Sequence, residues 1–391
     1  MSRSRQKTIT PANIEKIRRT VKHRRFLFIL GTRPEVIKMA PVIFAAQKCE
    51  NTTVQILHTG QHLELAEEMF RHFRLEPDFD LAVMQPNQSL FQLTSRITEG
   101  IGEIVSRNEY DMIFVQGDTS SAFLGALSGF YQKVPVAHIE AGLRTQNRYS
   151  PFPEEINRRL VTPLASLHFA PTERARQMLL KEGTPDQSIF VTGNTVIDAL
   201  HWSLQRKLSA PKEFADIFAA DGRLILVTTH RRENFGEPHR QVFSALIELA
   251  DRFADVRILF PIHPNPRVRD EAARLLNNHP RIHLTAPLSY QVFIMAMQRC
   301  HLIMSDSGGV QEEAPSLNKP VLVLRESTER PEGVETGALK LVGTNRETIL
   351  DSASELLCNQ AAYNRMAGAV NPYGDGRAGE RIIEATNAYL R

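Results

Sequence analysis

The chain has 391 residues, of which 23% are charged and 42% hydrophobic, and a formal net charge of +3. That length exceeds one ordinary core, so two domains are expected, and the small net charge gives no reason to propose nucleic acid or an acidic membrane as partner. The three cysteines, Cys49, Cys300 and Cys358, are too scattered for a zinc cluster or a disulfide framework and point to a reducing cytoplasm, and no apolar stretch approaches the roughly 20 residues that span a bilayer.

In chain order, residues 1–24 form a basic extension with one short helical pattern around Asn13 to Arg18, read as solvated chain without an assigned function. From residue 25, short apolar runs alternate with longer amphipathic segments, the pattern of repeated βα units. Strands are predicted at Phe26 to Leu30, Val54 to His58, Met112 to Val115, Val136 to Ile139, Leu167 to Ala170 and Ile189 to Val191. A helix follows Thr172, with a Thr N-cap, an acidic first turn and a stop at Gly183.

The alternation then restarts, with strands predicted at Leu224 to Thr228, Val256 to Ile262, Ile282 to Thr285, His301 to Ser305, Val321 to Leu324 and Leu339 to Val342. Two helices are expected beyond Val342, separated by the turn Asn371-Pro-Tyr-Gly-Asp-Gly376. The fold class is therefore α/β, with two doubly wound, Rossmann-like domains. Their expected spans are 25–193 and 194–372, and 373–391 is expected to be a helix packing back on the first domain.

Ligands of open α/β sheets bind beyond the carboxyl ends of the strands. Asp118 and Glu140 close two successive apolar runs, and Glu154 follows in a proline-flanked loop, so three carboxylates suggest proton transfer. The first strand leads into Gly31-Thr-Arg-Pro-Glu-Val-Ile-Lys38, which is neither a dinucleotide turn nor a Walker A loop, so no nicotinamide cofactor or ATP chemistry is indicated. Pro34 at a helix start leaves free amides for an anion, beside Arg33 and Lys38. In the second half, Ser307, Gly308 and Gly309 offer backbone amides to phosphate oxygens, and Glu313 suits ribose hydroxyls. His230, Arg231 and Arg232 cluster at another strand end, as does His263, and Arg330 lies in a further loop. The residues alone imply an enzyme acting on a nucleotide-activated small molecule.

The ordered set of motifs is more specific. It comprises Gly31-Thr-Arg-Pro-Glu-Val-Ile-Lys38, Thr59-Gly-Gln-His62, Gln116-Gly-Asp-Thr119, His138-Ile-Glu-Ala-Gly-Leu-Arg144, Pro153-Glu-Glu-Ile-Asn-Arg158, His230-Arg-Arg-Glu-Asn-Phe-Gly236, Asp306-Ser-Gly-Gly-Val-Gln-Glu-Glu-Ala-Pro315 and Glu329-Arg-Pro-Glu332. With these the chain resembles the bacterial non-hydrolysing UDP-N-acetylglucosamine 2-epimerases, which have the GT-B architecture. The resemblance implies that Arg33, Lys38, His230, Phe293, Ser307, Gly308, Gly309, Glu313 and Arg330 hold the uridine diphosphate, and that Asp118, Glu140 and Glu154 form the acid–base group. It also implies a second, activating UDP-sugar at Gln61, His62, Gln88, Arg231 and His263, and a homodimer.

The hydrogen on sugar C2 is not acidic, because no carbonyl is attached directly to that carbon. Elimination of UDP to a 2-acetamidoglucal, followed by re-addition with protonation from the other face, avoids the difficulty. His230 and Arg33 would stabilise the departing diphosphate, with neither NAD nor metal required. Two alternatives share the fold: a GT-B glycosyltransferase with a UDP-sugar donor, and a nucleotide-sugar sensor without catalysis.

Overall fold

The computed structural model describes residues 22–391 apart from 62, 207, 232–233 and 263–264, and not the side chains of 63 and 267. Nearly all of the basic extension, and the proposed ligands His62 and His263, therefore lie outside the described residues.

Among the described residues the chain forms two sheets. The first carries β1 (Arg24–Leu30), β2 (Thr52–His58), β3 (Phe79–Asp80), β4 (Met112–Gln116), β5 (Val136–Ile139), β6 (Leu167–Ala170) and β7 (Ile189–Val191), in the spatial order β3-β2-β1-β4-β5-β6-β7. The second carries β8 (Arg223–Thr228), β9 (Val256–Pro261), β10 (Ile282–Thr285), β11 (Leu302–Ser305), β12 (Val321–Val323) and β13 (Leu339–Leu341), in the order β10-β9-β8-β11-β12-β13. Both orders reverse direction beside their first strand, where β1 runs parallel to β2 and β4, and β8 runs parallel to β9 and β11. That reversal opens a crevice at the carboxyl end of a doubly wound sheet.

Strands covered by helices on both faces read as unbroken apolar runs. Phe26 to Leu30 are all fully buried, and Phe28 stacks on Phe114 of β4 with ring centroids 4.4 Å apart. The helix Ser120–Tyr131 lies close on this sheet because its inner positions are glycines. A Cβ on Gly129 would sit 2.7 Å from Val136 Cγ2, and one on Gly125 would sit 3.0 Å from Val115 Cγ1.

Among the described residues, those up to Phe169, with Gln177–Phe190 and Glu380–Arg391, form one compact unit, and those of Ala170–Arg176 and Val191–Gly379 form the other. The last helix, Ala378–Tyr389, returns to the first unit as its fold class requires. There the Arg24 guanidinium donates to the side chain and, at 3.4 Å, the carbonyl of Asn387.

Three local features differ from the sequence reading. The edge strand β3 is only two residues long and went unread. Three helices, not two, follow Val342, because Asn359 ends Arg346–Cys358 and caps Gln360–Ala367 through bonds from Ala361 and Ala362 N. Glu154 does not lie in a loop but opens the helix Glu154–Leu164, with Pro153 as its N-cap. Among the described residues, no helix is long and apolar enough to cross a membrane.

Candidate active site

In the first unit, three loops at the carboxyl ends of β1, β4 and β5 meet. Glu140 sits just past β5 in a left-handed conformation, φ 64°, which turns its side chain back toward β4. Its carboxylate accepts from Gln116 Nε2 and pairs with the Lys38 ammonium, and a Cβ on Gly117 would lie 3.5 Å from Glu140 Oε2. Lys38, expected on the diphosphate, is thus engaged with a carboxylate.

Asp118 follows Gly117, whose φ of 69° makes the turn after β4. Its carboxylate pairs with Arg158, and Asn157 Nδ2 donates to its carbonyl at 3.0 Å. Loss of solvent raises the proton affinity of Asp118; the Glu140 charge adds to this, while Arg158 and Lys38 oppose it. An acid whose proton affinity is raised in this way is a candidate for proton transfer.

The helix Glu154–Leu164 supplies the third acid. Glu154 lies one turn before Arg158, and residues four apart share a helix face, so Glu154 is on the side that meets Asp118. The adjacent Glu155 has a structural task. It is fully buried, accepts from the amides of Thr145 and Gln146 at 3.0 and 3.3 Å, and pairs with Arg159 at 2.9 Å. Half-buried Glu154 has no hydrogen-bond or ion-pair partner among the described residues, which leaves its carboxylate uncommitted. The same holds for the half-buried Arg33 at the start of the helix Arg33–Gln47.

In the second unit, β8 and β11 bring His230 and the small-residue turn together. Fully buried Asp306 accepts from the backbone amides of His230 and Arg231, each at 3.0 Å, and from Asn234 Nδ2 at 3.0 Å. It also lies 2.9 Å from His230 Nδ1. Burial pulls the Asp306 carboxyl upward, but the bonds from His230 and the two amides outweigh it and hold the group below its ordinary range. The contact at Nδ1 fixes the orientation of the His230 ring.

Ser307 is the N-cap of the short helix Gly308–Glu313. The Arg330 guanidinium pairs with buried Glu312 at 2.8 Å and with Glu329 at 3.1 Å, and a Cβ on Gly308 would lie 3.4 Å from Arg330 Cζ. The arginine is therefore held over the glycine turn. Glu313 is buried beside Glu312, and Phe293 is half-buried on the helix Tyr290–Arg299, whose N-cap is Ser289.

The residues expected at a second sugar site are divided between the two units. Gln61 accepts from Ser121 Oγ at 2.9 Å, and Gln88 accepts from Arg96 at 2.7 Å, both in the first unit. Arg231 belongs to the second unit, and His62 and His263 are not described.

Sequence reasoning did not single out Glu35, Gln116, Asn157, Arg158, Asp306 or Glu312, which hold the site residues in place. Two of them left a readable trace. Thr32 and Glu35 have capping-box spacing, and Glu154 and Arg158 are one helical turn apart.

The family model described as UDP-N-acetylglucosamine 2-epimerase matches residues 45–387. The chain belongs to the UDP-N-acetylglucosamine 2-epimerase family. It is 47% identical over 373 residues to a probable UDP-N-acetylglucosamine 2-epimerase of Ralstonia solanacearum, covering 94% of this chain and 100% of that protein. Against the Escherichia coli K12 UDP-N-acetylglucosamine 2-epimerase it is 45% identical over 365 residues, covering 92% and 97%. Among solved structures, the Neisseria meningitidis 2-epimerase bound to UDP-GlcNAc matches with a TM-score of 0.85 and 44% identity, over 93% of this chain and all of that one. The Methanocaldococcus jannaschii 2-epimerase in complex with UDP-GlcNAc and UDP matches with a TM-score of 0.76 and 34% identity, over 93% and 99%. The 2-epimerase resemblance read from the motifs is thus established over nearly the whole chain.

Proposed function

We propose that this 2-epimerase interconverts UDP-N-acetylglucosamine and UDP-N-acetylmannosamine by eliminating and re-adding UDP, with proton chemistry on Asp118, Glu140 and Glu154. The observation that carries this reading is the electrostatic coupling of Asp118 to Glu140, with the uncommitted Glu154 on the helix face that meets Asp118. As one carboxylate takes the C2 proton, the C2–H electron pair forms the C1–C2 double bond and the C1–O bond breaks toward UDP. The reverse step, with a proton delivered to the opposite face of C2 and UDP oxygen returning to C1, gives the epimer. Acids whose proton affinities are set apart by their surroundings suit such a two-sided exchange.

His230 would stabilise the negative charge developing on the departing diphosphate, its orientation fixed by Asp306. Ser307, Gly308 and Gly309 would present amides to phosphate, with Arg330 above them and Arg33 as a further uncommitted cation. Glu313 and Phe293 would contact the uridine, and Lys38 would serve either the diphosphate or the proton affinity of Glu140. A second regulatory UDP-sugar at Gln61, His62, Gln88, Arg231 and His263, a homodimeric assembly and a cytoplasmic location complete the reading. The last is supported by three free cysteines.

Incubation with UDP-N-acetylglucosamine in D2O tests the chemistry. Deuterium at C2 of both sugars, with 2-acetamidoglucal released on occasional turnovers, is the expected result. Epimer formed without exchange of the C2 hydrogen would overturn the elimination route.

A further inference from the structure

Behind the acid group lies a buried carboxylate that the scheme above does not use. Glu35 is 1% exposed in the first turn of the helix Arg33–Gln47. Its Oε2 accepts from Gly31 N at 3.1 Å and from Thr32 Oγ1 at 2.7 Å, and its Oε1 accepts from Thr119 Oγ1 at 2.7 Å. Gly31 and Thr32 immediately precede Arg33, and Thr119 immediately follows Asp118.

A glutamate three residues after an N-cap threonine ordinarily caps its own helix at the surface. Glu35 departs from that in two ways. It is enclosed, and its other oxygen is bonded across the sheet crevice to the loop after β4. Thr119 itself caps the helix Ser120–Tyr131, accepting from Ala122 N at 3.0 Å. Its hydroxyl therefore accepts from its own helix while donating to Glu35, which fixes the oxygen's direction. The packing around this junction leaves little play, since a Cβ on Gly31 would lie 2.1 Å from Thr59 Oγ1 and 2.3 Å from Ser121 Oγ.

We propose that Glu35 is a positioning residue of the epimerase reaction, its buried carboxylate tying the loop of Arg33 to the loop of Asp118 through Thr119. The proposal rests on the reading of Asp118 as an acid–base residue. Four donors converge on Glu35, the amides of Gly31 and Thr32 and the hydroxyls of Thr32 and Thr119, so removing its carboxylate leaves these groups without their acceptor and frees the Asp118 turn. Burial also pushes Glu35 up to about 7, so the clamp changes protonation near neutral pH. The groups directly facing it are the Gly31 and Thr32 amides and the Thr32 and Thr119 hydroxyls. The nearest charges by position are Arg33 and Lys38 on its own helix, Asp118 with Arg158 beyond Thr119, and Glu140 against Lys38.

The test compares wild type with Glu35→Ala, Glu35→Gln, Thr119→Val and the double variant Glu35→Gln/Thr119→Val. The readouts are kcat, KM, UDP affinity and the pH dependence of kcat, all on folded protein. Glu35→Ala is expected to lower kcat by about ten- to a hundredfold and move the pH profile, while UDP affinity changes by less than about threefold. Glu35→Gln, which keeps one acceptor for the Gly31 amide but turns an amide nitrogen toward Thr119, should lose less kcat than Glu35→Ala and lack the titration near neutral pH. In the double variant the losses should be less than additive, because both changes break one bond. Unchanged kcat and pH profile in Glu35→Ala, or, where that variant does not fold, additive losses in Glu35→Gln/Thr119→Val, would overturn the proposal. Asp118→Asn run alongside separates the two ideas. Full C2 exchange in that variant sinks the acid–base reading and this proposal with it, whereas loss of exchange there and none in Glu35→Ala sinks this proposal alone.

Discussion

At the scale of single residues, the site depends on acids whose surroundings differ sharply. Glu35 shows the consequence for stability. Its carboxyl is raised from 4.5 to about 7, chiefly by burial, so between these values the folded state binds more protons than the unfolded chain. Stability from this group is therefore complete below pH 4.5 and is lost as pH rises to 7, by about 3 kcal/mol in all. Glu35→Gln does not titrate. Chemical denaturation at pH 4.5 and pH 8 should show the variant gaining about that amount on wild type, and parallel curves would contradict the linkage. Asp306 is the opposite case, a buried acid kept charged by His230 and its neighbours. Asp306→Asn places an amide donor among N–H donors and loosens the tautomer of His230. The expected result is a loss of two to four orders of magnitude in kcat, by analogy with the aspartate of a serine-protease triad, and a UDP affinity changed by less than about tenfold. An Asp306→Asn enzyme with wild-type kcat would remove the His230–Asp306 pair from the mechanism. Asp118 and Glu140 were legible because they end apolar runs. The roles of Glu35 and Asp306 were not, because burial and cross-loop partners are properties of the folded chain, although the spacing of Thr32 and Glu35 left a trace.

At the scale of elements, the parallel strands were the most legible part of the sequence. Covered strands read as short runs rich in apolar residues, and β5 and β6, buried throughout, begin and end where those runs do, as do the edge strands β7 and β10. The edge strand β3 lacks that signal, since two residues carry no period. Glu154 was read as loop because prolines flank it, yet a proline just before a helix is compatible with its first turn. The β5–β6 pair makes a prediction of its own. His138 and His168 sit opposite each other, both buried, and burial holds them down to about 3 and about 4. His138 Nε2 donates to the Gly117 carbonyl at 2.7 Å, while its Nδ1 is buried without a partner. Protonation would add a charge and an unmet N–H there. The folded state binds fewer protons than the unfolded chain between pH 6.5 and 3, so stability falls as pH drops through that window. For His138 the loss is roughly 2–3 kcal/mol by pH 4.5. His138→Gln retains a donor for Gly117 and does not titrate, so its denaturation midpoint should fall less than that of wild type between pH 7 and 4.5. An equal fall in both proteins would show that His138 does not carry this dependence.

At the scale of the whole molecule, the proposed site residues are divided between two compact units. The first contains the acids, and the second contains His230, Ser307 to Gly309, Glu313 and Arg330. The pattern of two βα repeats made this division readable. The return of Glu380–Arg391 to the first unit was expected, but the exact partition was not readable, because Ala170–Arg176 joins the second unit from within the span expected for the first. A ligand that binds only the folded state stabilises it by mass action, by about 2.7 kcal/mol at one hundred times its Kd. UDP alone, without the sugar, should therefore raise the melting temperature by on the order of 5–10 °C. Amide hydrogen exchange should then slow at 228–231, 306–313 and 328–331. Gly308→Ala sharpens the test, since its Cβ would stand in van der Waals contact with Arg330, 3.4 Å from Cζ, and fill space beside the turn that the proposed phosphate would use. That variant should bind UDP about tenfold more weakly, a loss of about 1.4 kcal/mol, and show a smaller thermal shift with an unchanged melting temperature in the absence of nucleotide. UDP protection confined to segments of the first unit would place the nucleotide elsewhere and reassign the glycine turn to a purely steric role.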